Sequence, residues 1–283
     1  MRRKTLLAFF LVLLPLFSGA QEIIYEQQDS IEIEEVIKKH SAIRYDDKGD
    51  LIIAVANEFI GRKYVAGTLE SSKDEPLYIS CNRLDCTTFV ELVGAISMSI
   101  AKEERSFRSV CGNLERLRYR GGVRNGYASR LHYMSWWIAD NTAKGILEEV
   151  TANSCHKEYE LKLDFMSTHP VNYSKLEGDP AMQAQIAGLE KPFHGVTVKY
   201  IPKELLDGGE ESLDIKNGDI IALVTSIKGL DVSHVGFACW KNGRLHLVHA
   251  SSSKGKVIND TENLFRYQKG KSRQTGIRVI RFK

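Results

Sequence analysis

Residues 49–60, GDLIIAVANEFI, carry apolar side chains at helical spacing: Ile52, Val55, Ala56 and Phe59 fall on one face, and Gly61 ends the run. Upstream, residues 21–45 start polar and continue as a helix with Ile33, Val36 and Ile37 on one side. GRKYVAGTLE (61–70) runs extended into the polar loop SSKDEP. A further helix begins at Cys86, with Phe89, Val90, Val93 and Ile96 on its apolar face and Asp85 at the N-cap position.

From residue 216 the pattern changes to strands. KNGDIIALVTS (216–226), SHVGFACW (233–240), RLHLVHAS (244–251) and GIRVIRF (276–282) read as β, and Asn242-Gly243 between the second and third is a strong signal for a two-residue hairpin turn. Helices first and antiparallel strands last predict an α+β fold. Residues 101–215 have no clear period. They hold an arginine-rich stretch and the aromatic segment SRLHYMSWWIADN (129–141), with no repeat or low-complexity tract.

The first twenty residues stand apart. Arg2, Arg3 and Lys4 precede the apolar run Leu6–Phe17, and Ser18-Gly19-Ala20 is a small-residue cleavage site. The run is short for a bilayer and broken by Pro15, so residues 1–20 read as a signal peptide cleaved after Ala20. The expected mature protein is exported and periplasmic, with no integral membrane segment. The segment also holds three of the 39 basic residues, leaving 36 against 36 acidic ones. Bulk charge therefore gives no reason to expect a nucleic-acid partner. The remaining residues 21–283 suit one large domain or a core with a big insertion, expected as a monomer.

Five cysteines, at 81, 86, 111, 155 and 239, leave at least one thiol unpaired. Their spacing matches no dense disulfide framework, and mostly free thiols are expected. No Cys/His grouping has zinc spacing, so neither metal nor cofactor is expected.

Cys86 is the cysteine with a reason to react. A helix N-terminus favours negative charge, which predicts a depressed thiol pKa. Such a nucleophile needs a base and a group that orients the base. The hairpin offers histidines. With Asn242-Gly243 as the loop, paired residue numbers sum to 485, so Gly236 faces His249 and Cys239 faces His246. His234 and His249 then share a face as diagonal neighbours, about 7–8 Å apart. His246 and Cys239 point to the other side. The predicted triad is Cys86–His234–His249.

LDCTTFVELV together with SHVGFACW and LVHAS resembles the NlpC-type papain-like cell-wall cysteine hydrolases, and GRKYVAGTLE resembles their Gly-x-x-Tyr segment. More narrowly, YVAGTLE, LDCTTFVE, SRLHY and GLDVSHVGFA are similar to an exported branch first catalogued as a domain of unknown function and associated with N-acetylmuramoyl-L-alanine amidase activity. The resemblance implies a papain-like core, the cysteine helix packed on an antiparallel sheet, at about 46–100 and 216–283. It makes Cys86 the nucleophile, His234 the general base and acid, and His249 the orienting residue, whose following Ala-Ser also fits the family. Tyr64 would line the site. The Cys86 amide would serve the oxyanion, and Asp85, besides capping, matches an aspartate that holds a free peptide amine in related endopeptidases.

The chain departs from compact members by an insertion at about 101–215. It carries Arg130, His132, Tyr133, Trp136 and Trp137, which read either as a substrate wall or as a helix with a buried aromatic face. The tryptophans favour the core reading; Arg130 and His132 stand evenly between the two. Glu70 reads as site wall or salt-bridge partner, and Glu91 leans to the latter. Asp231 and Ser233 precede the base and would shape its approach.

The expected function is release of the stem peptide from a muramyl sugar through a Cys86 thioester, with a muropeptide or peptidoglycan fragment as substrate. A γ-D-glutamyl–diamino-acid endopeptidase with the same triad is the nearest alternative, followed by an acyltransferase. A catalytically silent wall-binding module is a further class, which the Cys–His–His set argues against.

Overall fold

A computed structural model describes residues 22–283 apart from 71 and 73. The expected signal peptide thus lies outside the described residues. The chain runs β1 (Ile23–Ile24), α1 (Gln27–Ser41), α2 (Lys48–Asn57), β2 (Lys63–Tyr64), β3 (Leu77–Tyr78), β4 (Arg83–Leu84), α3 (Cys86–Ala101) and α4 (Phe107–Arg118). Then follow α5 (Met134–Ala143), β5 (Leu147–Glu149), β6 (Lys157–Glu160), α6 (Phe165–Thr168), α7 (Pro180–Glu190) and β7 (Thr197–Pro202). The last part is β8 (Ile220–Thr225), β9 (Val232–Lys241), β10 (Arg244–Ser251), β11 (Lys256–Asn259), α8 (Leu264–Lys269) and β12 (Gln274–Phe282). Among the described residues no helix is long and apolar enough to cross a membrane.

The fold is α+β, built on a large mixed sheet in the order β4-β2-β11-β10-β9-β8-β12-β7-β6, with β5 also paired to β12. All pairs are antiparallel except β2–β4. Strands of the 101–215 region, β5, β6 and β7, extend this sheet from β12. Both faces are covered, which explains the unbroken apolar run of β8. Ile220 and Ala222 enter a core shared with α1 to α5, whereas Ile221 and Leu223 enter a second core on the other face with Leu264 of α8.

Helix α3 forms where its sequence predicts. Asp85 accepts from the Thr88 amide at 2.8 Å, and Thr88 Oγ1 accepts from the Asp85 amide at 2.9 Å, a closed capping box. Phe89, Val90, Val93 and Ile96 are buried. Gly94 gives Phe282 room, because a Cβ there would lie 2.6 Å from the ring.

The hairpin takes the predicted register. Lys241 pairs with Arg244, and His246 with Cys239. Asn242 and Gly243 have φ of 51° and 69°, the left-handed pair that a tight type I′ turn requires.

Candidate active site

Three local arrangements bring Cys86 to its neighbours. Its helix start is fixed by the Asp85 cap and by Asp29 of α1, whose carboxylate accepts the Cys81 amide at 2.8 Å. Tyr64 arrives beside it because β2 runs parallel to β4 with Tyr64 opposite Leu84. Burial, then the nearby Cys86 and Asp85, push the Tyr64 hydroxyl up to about 12, so it is a neutral hydrogen-bond donor at the thiol's side.

His234 comes from β9. A bulge at Ser233, where Leu223 pairs with His234 and Val224 with Val232, re-aims the strand start. Val235 and Phe237 point into the α3 core, so His234 projects from the other face. There His234 Nε2 lies 2.6 Å from His249 Nδ1, with the rings 4.8 Å apart and at 84°. The predicted face-sharing holds, and the rings meet more closely than their diagonal Cα positions require. His246 instead bonds the Asp260 carbonyl through Nδ1 at 3.0 Å, away from His234.

Gly236 explains why the two imidazoles can meet. A Cβ at this position would sit 2.7 Å from the His249 Cβ and 3.0 Å from the Val248 carbonyl. The glycine is required by the close approach of β10, and no turn is involved.

The electrostatics depart from expectation. The helix start predicts a depressed thiol pKa, but burial and then the Asp85 carboxylate push the Cys86 thiol up to about 11; contacts from the Val235 amide and from the Thr87 hydroxyl and amide offset only part of this. Desolvation is the largest cause, acting on a thiol that is itself half-buried. Burial, then His249 and Lys271, push His234 down to about 3. Thiol and imidazole therefore both rest uncharged. All five cysteines are free, as expected of most of them.

Cys86 and His234 line one cavity of about 110 Å³. Thr87, Asp231, Ser233 and Val235 contribute to it, and Leu131, His132, Met134 and Trp137 close one side. His132 is held by the Tyr127 carbonyl at 2.9 Å, and burial keeps its ring neutral, well below the usual imidazole range. The cavity lining thus includes residues of the 101–215 region.

Other candidates have structural partners. Arg130 is buried; it donates to Glu70 at 2.5 Å and the Leu69 carbonyl at 3.2 Å and forms an ion pair with Glu75 at 3.3 Å, so its guanidinium joins a loop to the aromatic segment. Glu70 serves the same ion pair. Tyr133 points away from the cavity; its hydroxyl donates to Glu190 at 2.6 Å and accepts the Met166 amide at 2.8 Å. Asp231 lines the cavity but is spent on the Ser135 amide at 2.5 Å and the Val232 amide at 2.8 Å, which ties α5 to the start of β9. Ser233 is exposed at the cavity. Glu91 forms a buried pair with Arg118 at 2.7 Å. Trp136 and Trp137 are core, and Trp137 also reaches the cavity wall.

Sequence reasoning missed Asp260 and Tyr267. Asp260 Oδ2 lies 3.4 Å from His249 Nε2, and the Tyr267 ring meets the His249 ring edge-on at 5.7 Å. The only local signal was an acid beyond the LVHAS strand. Among the described residues no cluster of His, Cys, Asp and Glu could hold a metal ion.

Solved structures share this architecture. An N-acetylmuramoyl-L-alanine amidase from Bacteroides uniformis is 37% identical, with a TM-score of 0.79 over 83% of this chain and 99% of that one. A Bacteroides fragilis protein provisionally named a xylanase is 44% identical, with a TM-score of 0.76 over 81% and 99%. A Legionella pneumophila protein of the DUF1460 family, 22% identical, shares the fold with a TM-score of 0.67 over 90% and 94%. No curated protein matches the chain. The AmiA-like family, described as N-acetylmuramoyl-L-alanine amidase-like, matches residues 54–277, and with most of the sequence inside that match the chain belongs to this family.

Proposed function

We propose that this protein is an exported, periplasmic cysteine amidohydrolase that cleaves the amide between the lactyl group of N-acetylmuramic acid and L-alanine in muropeptides. It would work as a monomer on a papain-like NlpC-type core, without metal or organic cofactor. The observation that carries the reading is the 2.6 Å contact between His234 and His249 at a cavity that Cys86 also lines.

In this reading the protons follow the hydrogen-bond chain. With His249 donating from Nε2 to Asp260, its Nδ1 accepts the His234 Nε2–H. His234 Nδ1 is then the free base. As the thiol attacks the lactyl carbonyl, its proton passes to Nδ1. The tetrahedral oxyanion takes hydrogen bonds from the Cys86 amide and the Tyr64 hydroxyl. His234 returns the proton to the leaving L-alanine nitrogen, a thioester remains, and water attacks it with His234 again as base.

The xylanase name of one relative points to a different chemistry. Glycoside hydrolysis needs two facing carboxyl groups. Asp231 is the sole acid lining the cavity among the described residues, and its oxygens are occupied by backbone amides.

The test is digestion of a muramyl tripeptide with product masses read out. The expected products are the sugar acid and the intact tripeptide. Release of the terminal diamino acid would mean the endopeptidase alternative, and no cleavage would sink both. Intact sacculi run in parallel test substrate size, because the wall formed by Leu131, His132, Met134 and Trp137 favours small soluble fragments. Efficient digestion of cross-linked wall would contradict that role.

A further inference from the structure

We infer that Asp260 is a positioning residue, a fourth member of the charge chain behind His249; the inference rests on the proposed cysteine mechanism. Its carboxylate is divided between a backbone amide and His249. Oδ1 accepts the Glu262 amide at 3.0 Å, which leaves Oδ2 facing His249 Nε2 at 3.4 Å. The His249 side chain is fully buried and that of Asp260 is 11% exposed, so the contact is shielded from solvent.

The backbone of Asp260 is clamped independently of that carboxylate. Its amide donates to the Leu247 carbonyl at 2.8 Å, and its own carbonyl accepts from His246 Nδ1 at 3.0 Å and Lys241 Nζ at 3.1 Å. Because β10 and β11 pair Val248 with Asn259, Asp260 falls opposite Leu247, on the face and at the diagonal of His249. His246, excluded from the triad, thus holds the acid that supports it.

The consequence is specific. The carboxylate fixes the His249 proton on Nε2, which keeps Nδ1 an acceptor and orients His234 for Cys86. Its negative charge also favours the imidazolium that forms when the thiol gives up its proton. A counterweight faces the same rings. Lys271 disfavours positive charge on both histidines and stands 3.1 Å from the Tyr267 ring centroid, while Tyr267 packs on His249. The groups around the pair are therefore Cys86, Asp260, Glu262, Tyr267, Lys271 and, through the backbone, Lys241 and His246.

The experiment reads Cys86 alkylation by iodoacetamide against pH, in the full chain carrying Cys155→Ser to remove the exposed thiol. Asp260→Asn should slow alkylation near neutral pH by about tenfold and move the profile to higher pH. Lys271→Met should move it the other way. Neither readout needs the substrate, so failure of the amidase reading is separable: an inactive protein with these opposed shifts keeps the inference, and an active one without them overturns it. With a muropeptide that is cleaved, Asp260→Asn should lower kcat and leave KM nearly unchanged. Should Asp260→Asn fail to fold, nitrogen-15 NMR of the parent protein decides, since His249 protonated on Nδ1 would overturn the assignment.

Discussion

His234 Nε2 and His249 Nδ1 stand 2.6 Å apart because Gly236, directly opposite His249, has no side chain to hold the strands apart. Three residues of one hairpin thus bring together the two imidazoles proposed as the base and its support. His249→Ala should cut kcat by about a hundredfold with the fold intact, and His246→Ala should leave kcat nearly untouched. Gly236→Ala should act like a mild His249 variant. The added Cβ must displace His249, at about 1–3 kcal/mol in stability and about tenfold or more in kcat. Thermal melts and steady-state kinetics check both, and a Gly236→Ala enzyme with parental kcat would contradict the geometry.

The raised thiol pKa makes a pH prediction. Burial and then Asp85 hold the Cys86 thiol near 11, so few thiolates exist at neutral pH without help. In the proposed mechanism His234 supplies it by taking the proton as attack occurs. Alkylation of Cys86 near pH 7 should therefore be about a hundredfold slower in His234→Ala than in the parent. The two rates should converge as pH rises toward 11, where the thiol ionises unaided. Superimposable profiles would show that the thiolate does not depend on His234.

Arg130 gives a prediction about stability rather than binding. Its buried guanidinium faces Glu70 and Glu75, and truncation takes the Arg130 charge from Glu75, only 6% exposed at its side chain, leaving it the Tyr119 hydroxyl at 3.3 Å and the more distant Arg118. Arg130→Ala should cost about 3–5 kcal/mol, the penalty for breaking a buried pair. KM for muropeptide should stay near the parental value in the protein that remains folded. A large KM rise with an unchanged melt would restore Arg130 to the substrate wall.

What could be read along the chain was the local part. The apolar spacing of 49–60 and 86–96, the Asp85 cap, and the Asn242-Gly243 register involve residues close in sequence, whose geometry follows from helix and hairpin rules. The α+β class and the meeting of His234 with His249 follow from them. Long-range packing set the rest. Arg130 met Glu70 and Glu75 across some sixty residues, and Tyr133 met Glu190 across 57, so side chains that looked equally fit to bind substrate were bound to their own protein. Asp260 became visible only once β11 paired with β10 and the clamp on its carbonyl closed. The Cys86 pKa departs from the helix-start expectation for the same reason. A helix start is a local feature, but the enclosure that desolvates the thiol is assembled from β9, α5 and the loop before β9, and desolvation disfavours the charged thiolate.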